Sequence, residues 1–317
     1  MSEQETDTHE DPVDTTVSNS PAQPESGPEP GPGVRLAITG ASGRMGTELR
    51  SMANEHSEIA FVLAITQTPD AVVNPAADSP AAPDAITPVD DDISISETAL
   101  KDALETHSID VLVDFTTPDA SMKYLDAVRT ASVDTAAVIG TTGYDDAQRS
   151  VISSLADTTA ILKASNFSRG IAALRRAVSE VVSTLPSYDV EVTETHHNGK
   201  RDAPSGTAVT LLDEIEAAQN KSESPPRVHG RVGDAPRHES EIGVHARRAG
   251  DIAGKHEVLM AGGDEVLELT HRAGSRGIFA AGALDAAVWI AERSPGRYDF
   301  DAVLDAGTDS DTHNGDS

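Results

Sequence analysis

Val34-Arg35-Leu36-Ala37-Ile38-Thr39-Gly40-Ala41-Ser42-Gly43-Arg44-Met45-Gly46 is the stretch on which the fold turns. Val34–Thr39 is a short apolar run of strand character, and Met45, Leu49 and Met52 then recur at helical spacing. Between them lies a glycine-rich turn. Gly40 permits the tight turn, Gly43 lets the backbone approach a pyrophosphate, and Gly46 lets the new helix pack against the strand. The free N–H groups and positive dipole end of the helix start favour an anion. The spacing is G-x-x-G-x-x-G rather than G-x-G-x-x-G. Its placement between strand and helix therefore carries the nucleotide-binding reading, more than the pattern does.

Outward from this turn the chain alternates. Residues 59–65 form a continuous apolar run, as a strand buried on both faces requires. Residues 67–92, rich in Pro, Asp and Ala, read as a long surface loop. Helices are expected at 96–105, 120–130 and 145–156, and strands at 111–115, 135–139 and 159–164. This predicts an α/β fold with a Rossmann-type, doubly wound parallel sheet over 34–167. The pattern changes after Ser168. A helix at 168–185 closes at Pro186, and 188–195 alternates with Val190 and Val192 on one face. A helix follows at 207–220, then strands at 240–249, 256–261 and 266–271 with no helix between them. Residues 168–276 are thus expected to form an α+β substrate and oligomerisation domain with a meandering, mixed sheet. Residues 277–306 add a final apolar helix.

The chain has 317 residues and a formal net charge of −29, from 53 acids against 24 bases. Residues 1–33 carry eight acids and no base among many Pro, Ser, Thr and Gly, and read as a disordered tail. Residues 307–317 are expected to be a second one. So acidic a surface argues against nucleic-acid binding. The absence of Cys excludes disulfides, thiolate metal sites and Cys nucleophiles. No apolar run approaches a membrane span, and the N-terminus lacks the pattern of a secretory signal. The expectation is a soluble cytoplasmic protein whose acidity reflects adaptation to salt.

The strongest chemical signal is Glu194-Thr195-His196-His197-Asn198-Gly199-Lys200-Arg201-Asp202-Ala203-Pro204-Ser205-Gly206-Thr207. It begins at the end of an alternating strand, so His196 and His197 face opposite ways if the strand persists. Asn198-Gly199 is a turn that brings Lys200 back toward the strand end. The helix opening at Ser205 offers the Gly206 and Thr207 N–H groups to a carboxylate. An imidazole, an ammonium and an anion-binding helix start within a dozen residues suit proton donation to a carboxylate-bearing substrate. Nothing matches H-E-x-x-H, and no metal is expected.

This segment resembles the signature of the 4-hydroxy-tetrahydrodipicolinate (dihydrodipicolinate) reductases of lysine and diaminopimelate biosynthesis, E-x-H-H-x-x-K-x-D-A-P-S-G-T-A. It matches at every fixed position through Ala208. The resemblance runs from about Val34 to Leu304. It includes Gly40–Gly46, Asp114-Phe115-Thr116, Gly140-Thr141-Thr142-Gly143, Asn166-Phe167-Ser168, Arg248-Ala249-Gly250-Asp251 with Gly254, and Ser275-Arg276. It implies NADPH or NADH as cofactor, bound by Gly40, Ala41, Ser42, Gly43, Arg44 and Met45 at the phosphates. Thr66 and Gln67 would lie at the adenosine ribose, where the absence of an acid leaves NADH versus NADPH open. Gly140, Thr141, Thr142, Ala164, Ser165, Asn166 and Phe167 would flank the nicotinamide.

By the same resemblance, His196 exchanges the proton and Lys200 donates one, while His197, Gly206 and Thr207 bind the carboxylates of a small cyclic dicarboxylate. Loss of the substrate's hydroxyl leaves a conjugated imine that takes hydride at ring carbon 4, and the enamine formed takes its proton from His196. The resemblance also implies a homotetramer joined through the second domain. The last helix should return to the nucleotide domain, with Arg276 near the cofactor cleft. Two rival readings are a related Rossmann amine dehydrogenase acting on an amino or diamino acid, and a non-catalytic nucleotide sensor. The first lacks a reason for the intact run from Lys200 to Ala208, and the second would have lost His196 or Lys200.

Overall fold

The computed structural model describes residues 33–66, 85–88, 97–219 and 224–311. The expected N-terminal acidic tail apart from Gly33, the residue Gln67, most of the 67–92 loop and the residues after 311 lie outside the described residues.

The opening stretch forms β1 (Val34–Thr39) and α1 (Arg44–Ala53). It is followed by β2 (Ile59–Thr66), β3 (Ala85–Pro88), α2 (Glu97–Thr106), β4 (Val111–Asp114), α3 (Pro118–Thr130), β5 (Ala136–Ile139), α4 (Asp146–Leu155) and β6 (Ala160–Lys163). The chain then builds α5 (Arg169–Thr184), β7 (Asp189–His196), α6 (Gly206–Gln219), β8 (Arg227–His229), β9 (Ile242–Arg248), β10 (Gly254–Gly262) and β11 (Glu265–Ala273). It ends with α7 (Gly277–Ile290), β12 (Gly296–Tyr298) and α8 (Phe300–Asp311).

The first sheet has seven strands in the order β12-β6-β5-β4-β1-β2-β3, every neighbouring pair parallel. The order reverses between β1 and β4, the point at which doubly wound sheets open a crevice beyond their strand ends. Residues on alternate faces of β1 enter different cores. Leu36 and Ile38 pack with Leu49, Ala283 and Ala287 of α1 and α7, while Ala37 packs with Leu104 and Tyr124 of α2 and α3. This double burial is why β4 and β5 read as unbroken apolar runs. Local signals fix the helix starts: Asp145 and Gln148 form a reciprocal capping box at α4. Helix α7 packs with α1 against one face of the first sheet.

The second sheet has the order β11-β10-β7-β9-β8 and is mixed. Strand β7 pairs parallel with β9 and antiparallel with β10. Its Val190 and Val192 join Val258 and Met260 of β10 under Val178, Leu211 and Ile215 of α5 and α6.

Four expectations are corrected. Strands β9 and β10 do not form a meander: β7 lies between them, and loop 249–253 steps over its end, where Ala249 N–H bonds His196 O at 2.9 Å and Asn198 N–H bonds Gly250 O at 3.0 Å. The 67–92 region is not all loop, because β3 pairs with β2 inside it. The sheet gains an edge strand, β12, that sequence pattern does not show. Helix α8 runs to Asp311, past Gly307, where the second tail was expected to begin.

Candidate functional site

The glycine turn is built as its spacing requires. Gly40 has φ of +68°, and a Cβ there would lie 2.8 Å from Thr116 Cγ2 and 2.9 Å from Phe115 O. Gly43 donates to Gly40 O at 2.9 Å and precedes α1, which no side chain caps. A Cβ on Gly46 would lie 2.1 Å from Gly40 O, so α1 meets the turn at backbone contact. Ala41 is buried, Ser42 half-buried and Arg44 exposed. Met45 packs its side chain against the core. Thr66 ends β2, beside the turn through the bond from Ala41 N–H to Ile65 O.

A buried carboxylate ties the next two strand ends together. Asp114, at the end of β4, accepts hydrogen bonds from Thr39 Oγ1 (2.7 Å), Thr116 Oγ1 (2.6 Å) and Thr141 Oγ1 (2.7 Å). Thr141 Oγ1 also takes the Thr116 N–H at 2.8 Å. The Thr141 hydroxyl is thus occupied in holding the turn, while Thr142 is exposed. Gly140 lies under the Phe115 ring, which a Cβ would meet at 2.1 Å. Phe167 is 1% exposed, its ring between Phe115 and Phe300 at centroid distances of 5.5 and 5.4 Å. Its side chain belongs to the core, while its loop neighbours present surface. Of these, Ala164 and Asn166 are half-buried and Ser165 is exposed.

Asn166 joins the two domains. Its Oδ1 accepts the Ser168 N–H at 2.8 Å, and its Nδ2 donates to Thr207 Oγ1 at 2.9 Å. A cavity of about 230 Å³ opens at this junction, lined in part by Lys163, Ser165, Asn166 and Thr207.

On β7, the two-residue period that puts Val190 and Val192 in the core puts Glu194 and His196 on the same face, where the core gives way to the cleft. Glu194 is 1% exposed and takes four hydrogen bonds from three partners. Arg248 donates to both its oxygens at 2.8 and 2.7 Å, Ser205 N–H donates at 3.1 Å, and His196 Nδ1 lies 2.5 Å from Oε2. Burial would push this carboxyl up, but the bonds and charges of Arg248 and His196 outweigh it and hold the carboxyl below its ordinary value. His196 has its Nε2 only 3.2 Å from where a Cβ on Gly254 would stand.

His197 follows the strand and is half-buried. Partial burial, then the charges of Arg276, His196, Lys200 and Arg44, hold its imidazole below the ordinary value. Cations from the glycine turn, the N-terminus of α7 and the 197–200 turn all act on this imidazole. Lys200 donates its N–H to His197 O at 3.2 Å, and its ammonium pairs with Asp202 at 2.9 Å. Gly206 opens α6, and a Cβ there would meet nothing within 4 Å.

The structure thus brings together His196, His197, Lys200, Gly206, Thr207, Asn166 and the glycine turn. Sequence reasoning gave no role to Asp114, Glu194, Arg248, Ser205 or His256. The Glu194-x-His196 spacing on an alternating strand was a usable signal for one of them. His256 had none, since it arrives from a strand 60 residues away.

A parallel sheet in this order, its uncapped glycine turn at the switch point and a second mixed-sheet domain over the crevice define a two-domain, dinucleotide-dependent oxidoreductase. Residues 34–167 match the family described as dihydrodipicolinate reductase, N-terminus, and residues 170–304 match the corresponding C-terminus. The 4-hydroxy-tetrahydrodipicolinate reductase of Natronomonas pharaonis is 44% identical over 273 residues, covering 86% of this chain and 100% of that one. The reductase of the same name from Haloarcula marismortui is 44% identical over 274 residues, with the same coverage. Among solved structures, the dipicolinate-bound dihydrodipicolinate reductase of Paenisporosarcina sp. TG-14 superposes with a TM-score of 0.64 at 23% identity, over 84% of this chain and 97% of that one. The chain belongs to the dihydrodipicolinate reductase family, NAD(P)H-dependent oxidoreductases of lysine biosynthesis.

Proposed function

We propose that the cleft between the two sheets reduces 4-hydroxy-tetrahydrodipicolinate to tetrahydrodipicolinate, with His196 as proton donor. The observation that carries this reading is the Arg248–Glu194–His196 chain beside the α6 start. The Glu194 carboxylate accepts from His196 Nδ1, fixing the ring and leaving Nε2 to address the cleft. The missing side chain at Gly254 keeps that nitrogen clear. The N–H groups of Gly206 and Thr207 and the cations around His197 offer two carboxylates their partners. Lys200 is the second donor, released from Asp202 as an anion arrives.

The residues of the glycine turn fit a dinucleotide: the uncapped α1 start faces its pyrophosphate, with Arg44 exposed beside it. When bound, that group supplies the hydride that this chain's own residues cannot. The 164–166 loop and Thr142 border the nicotinamide end, and Arg276 lies close to the same cluster of charge. Either NADH or NADPH serves, since Thr66 brings neither an acid nor a base to the ribose.

We also take the chain to act in the cytoplasm as a homotetramer and to be adapted to salt. The edge strand β11 supports assembly, with Val266 60% and Leu267 38% exposed on it. A monomeric mass by light scattering would remove the tetramer. No helix among the described residues is long and apolar enough to cross a membrane.

The test is an assay in molar KCl with synthase-generated substrate and NADPH or NADH. No oxidation of either cofactor would sink the reading. His196→Gln and Lys200→Ala are each expected to lower kcat by at least about 100-fold, as loss of a positioned acid should. Turnover near wild type in both would remove these role assignments.

A further inference from the structure

One buried imidazole takes no part in the chemistry above. His256 stands directly opposite Glu194 in the β10–β7 register and is 4% exposed. Its ring meets that of His196 edge to face, with centroids 5.2 Å apart and planes at 73°. Its Nε2 lies 3.1 Å from Ser205 Oγ, and its Nδ1 is buried without a partner. Ser205 is the residue before α6. Its Oγ accepts the Ala208 N–H at 3.3 Å, and its own N–H is held by Glu194. The neighbouring strand repeats the arrangement more loosely. His271, opposite His256 in register, brings its Nε2 to 3.4 Å from Ser168 Oγ, and Ser168 caps α5.

We propose that His256 is a positioning residue of the reduction: through Ser205 it fixes the start of α6, and with it the carboxylate-binding Gly206 and Thr207 N–H groups, at a set distance from His196. The inference rests on the reading of this cleft as a dicarboxylate site. A single ring makes both contacts that matter. Its nitrogen completes the bonding of the capping hydroxyl, which would otherwise be buried short of a partner. Its edge closes the side of the pocket toward which the His196 ring would tilt. An apolar residue of similar size makes the second contact but not the first.

The site also demands a neutral imidazole. The positive end of α6 and the cations of the cleft disfavour a proton there. Burial, followed by the charge of His196, pushes His256 down to about 4, with Glu194 opposing and His271 and Lys200 adding to the effect. His256 is therefore a fixed strut at neutral pH, not a second proton source.

The test compares three variants with the wild type in steady-state kinetics, with dinucleotide affinity followed by fluorescence and folding by urea midpoint. His256→Phe keeps a ring and loses both nitrogens. His256→Asn shortens the amide out of reach of Ser205 and serves if the Phe variant does not fold. His256→Gln places an amide near the Nε2 position, its oxygen able to accept from the Ser205 hydroxyl. Loss of the Ser205 bond is expected to raise the substrate KM about tenfold in the Phe and Asn variants, with dinucleotide affinity within twofold of wild type. The Gln variant should recover to within about threefold of the wild-type KM. A wild-type KM in the Phe and Asn variants overturns the proposal. So does a folded Gln variant as impaired as they are, or an equal loss of dinucleotide affinity. A wild type that turns over no substrate sinks the functional reading instead, which separates the two failures.

Discussion

Two buried carboxylates organise this molecule's cleft, and neither faces solvent. Asp114 gathers three threonine hydroxyls and so sets the ends of β1, β4 and β5. Glu194 gathers Arg248, His196 and the Ser205 N–H, and so sets the His196 imidazole against the α6 start. Removing either would orphan several partners in a low dielectric, which is costlier than losing any one bond. The same burial makes stability depend on pH. In the unfolded chain the His256 imidazole takes a proton near its ordinary 6.5, but folded it holds off until about 4. Between these values the unfolded state binds the extra proton, so acid favours unfolding. Glu194 acts in the same direction, since a carboxyl held below its ordinary value contributes stability that is lost as pH falls through its folded value. For His256 alone the loss between pH 7.5 and pH 5 is about 2 kcal/mol. Urea unfolding should therefore show His256→Gln losing about 2 kcal/mol less than the wild type over that interval. Equal losses in the two proteins would refute the assignment.

At the scale of elements, legibility follows the range of the cause. The β1–turn–α1 unit was readable because its determinants lie within a dozen residues, and each glycine meets backbone or a neighbouring side chain at close range. The His196–Thr207 segment was readable for the same reason. Strand β12 was not, because Gly296–Tyr298 becomes a strand only by pairing with β6, more than 130 residues earlier. Nor was the place of β7 between β9 and β10, which is decided by where loop 249–253 anchors and not by any local pattern. Phe167 shows the limit within a motif: its sequence neighbours give no sign that its ring packs between Phe115 and Phe300, which only packing decides. The readable unit gives a sharp expectation. A Cβ at Gly46 would stand 2.1 Å from Gly40 O and 2.6 Å from Ala41 Cα, both backbone atoms, so α1 must shift off the turn to admit it. Gly46→Ala should cost about 1–3 kcal/mol in urea unfolding and weaken dinucleotide binding. Gly274→Ala, where a Cβ meets nothing within 4 Å, should stay within about 0.5 kcal/mol. Equal effects at the two positions would show that the close approach is not what constrains Gly46.

For the whole molecule the open question is what a net charge of −29 does. Thirteen of those charges fall in residues 1–33 and 301–317 with no base among them, leaving −16 on residues 34–300. The cleft runs against this trend: Arg44, Lys200 and Arg276 all act on His197. Elsewhere the bases are largely spent on acids, as in Arg227 with Asp213 and Glu216, or Arg176 with Asp305. Surface pairs of this kind contribute little individually, and they do not cancel the surplus. The surplus repels itself over distances set by the ionic strength, with a Debye length of about 10 Å at 0.1 M and about 3 Å at 1 M. Screening therefore relieves the folded state, where the charges are crowded, more than the expanded one. The urea midpoint should rise steadily from 0.1 M to 2 M KCl. Sucrose at matched osmolality, which screens nothing, should produce a smaller rise. Deleting residues 1–32 removes eight acids but leaves the crowded surface, so most of the salt dependence should persist. A midpoint that is flat or falls with KCl would mean that the acidity is not a repulsive load on this fold, and the salt-adaptation reading would go with it.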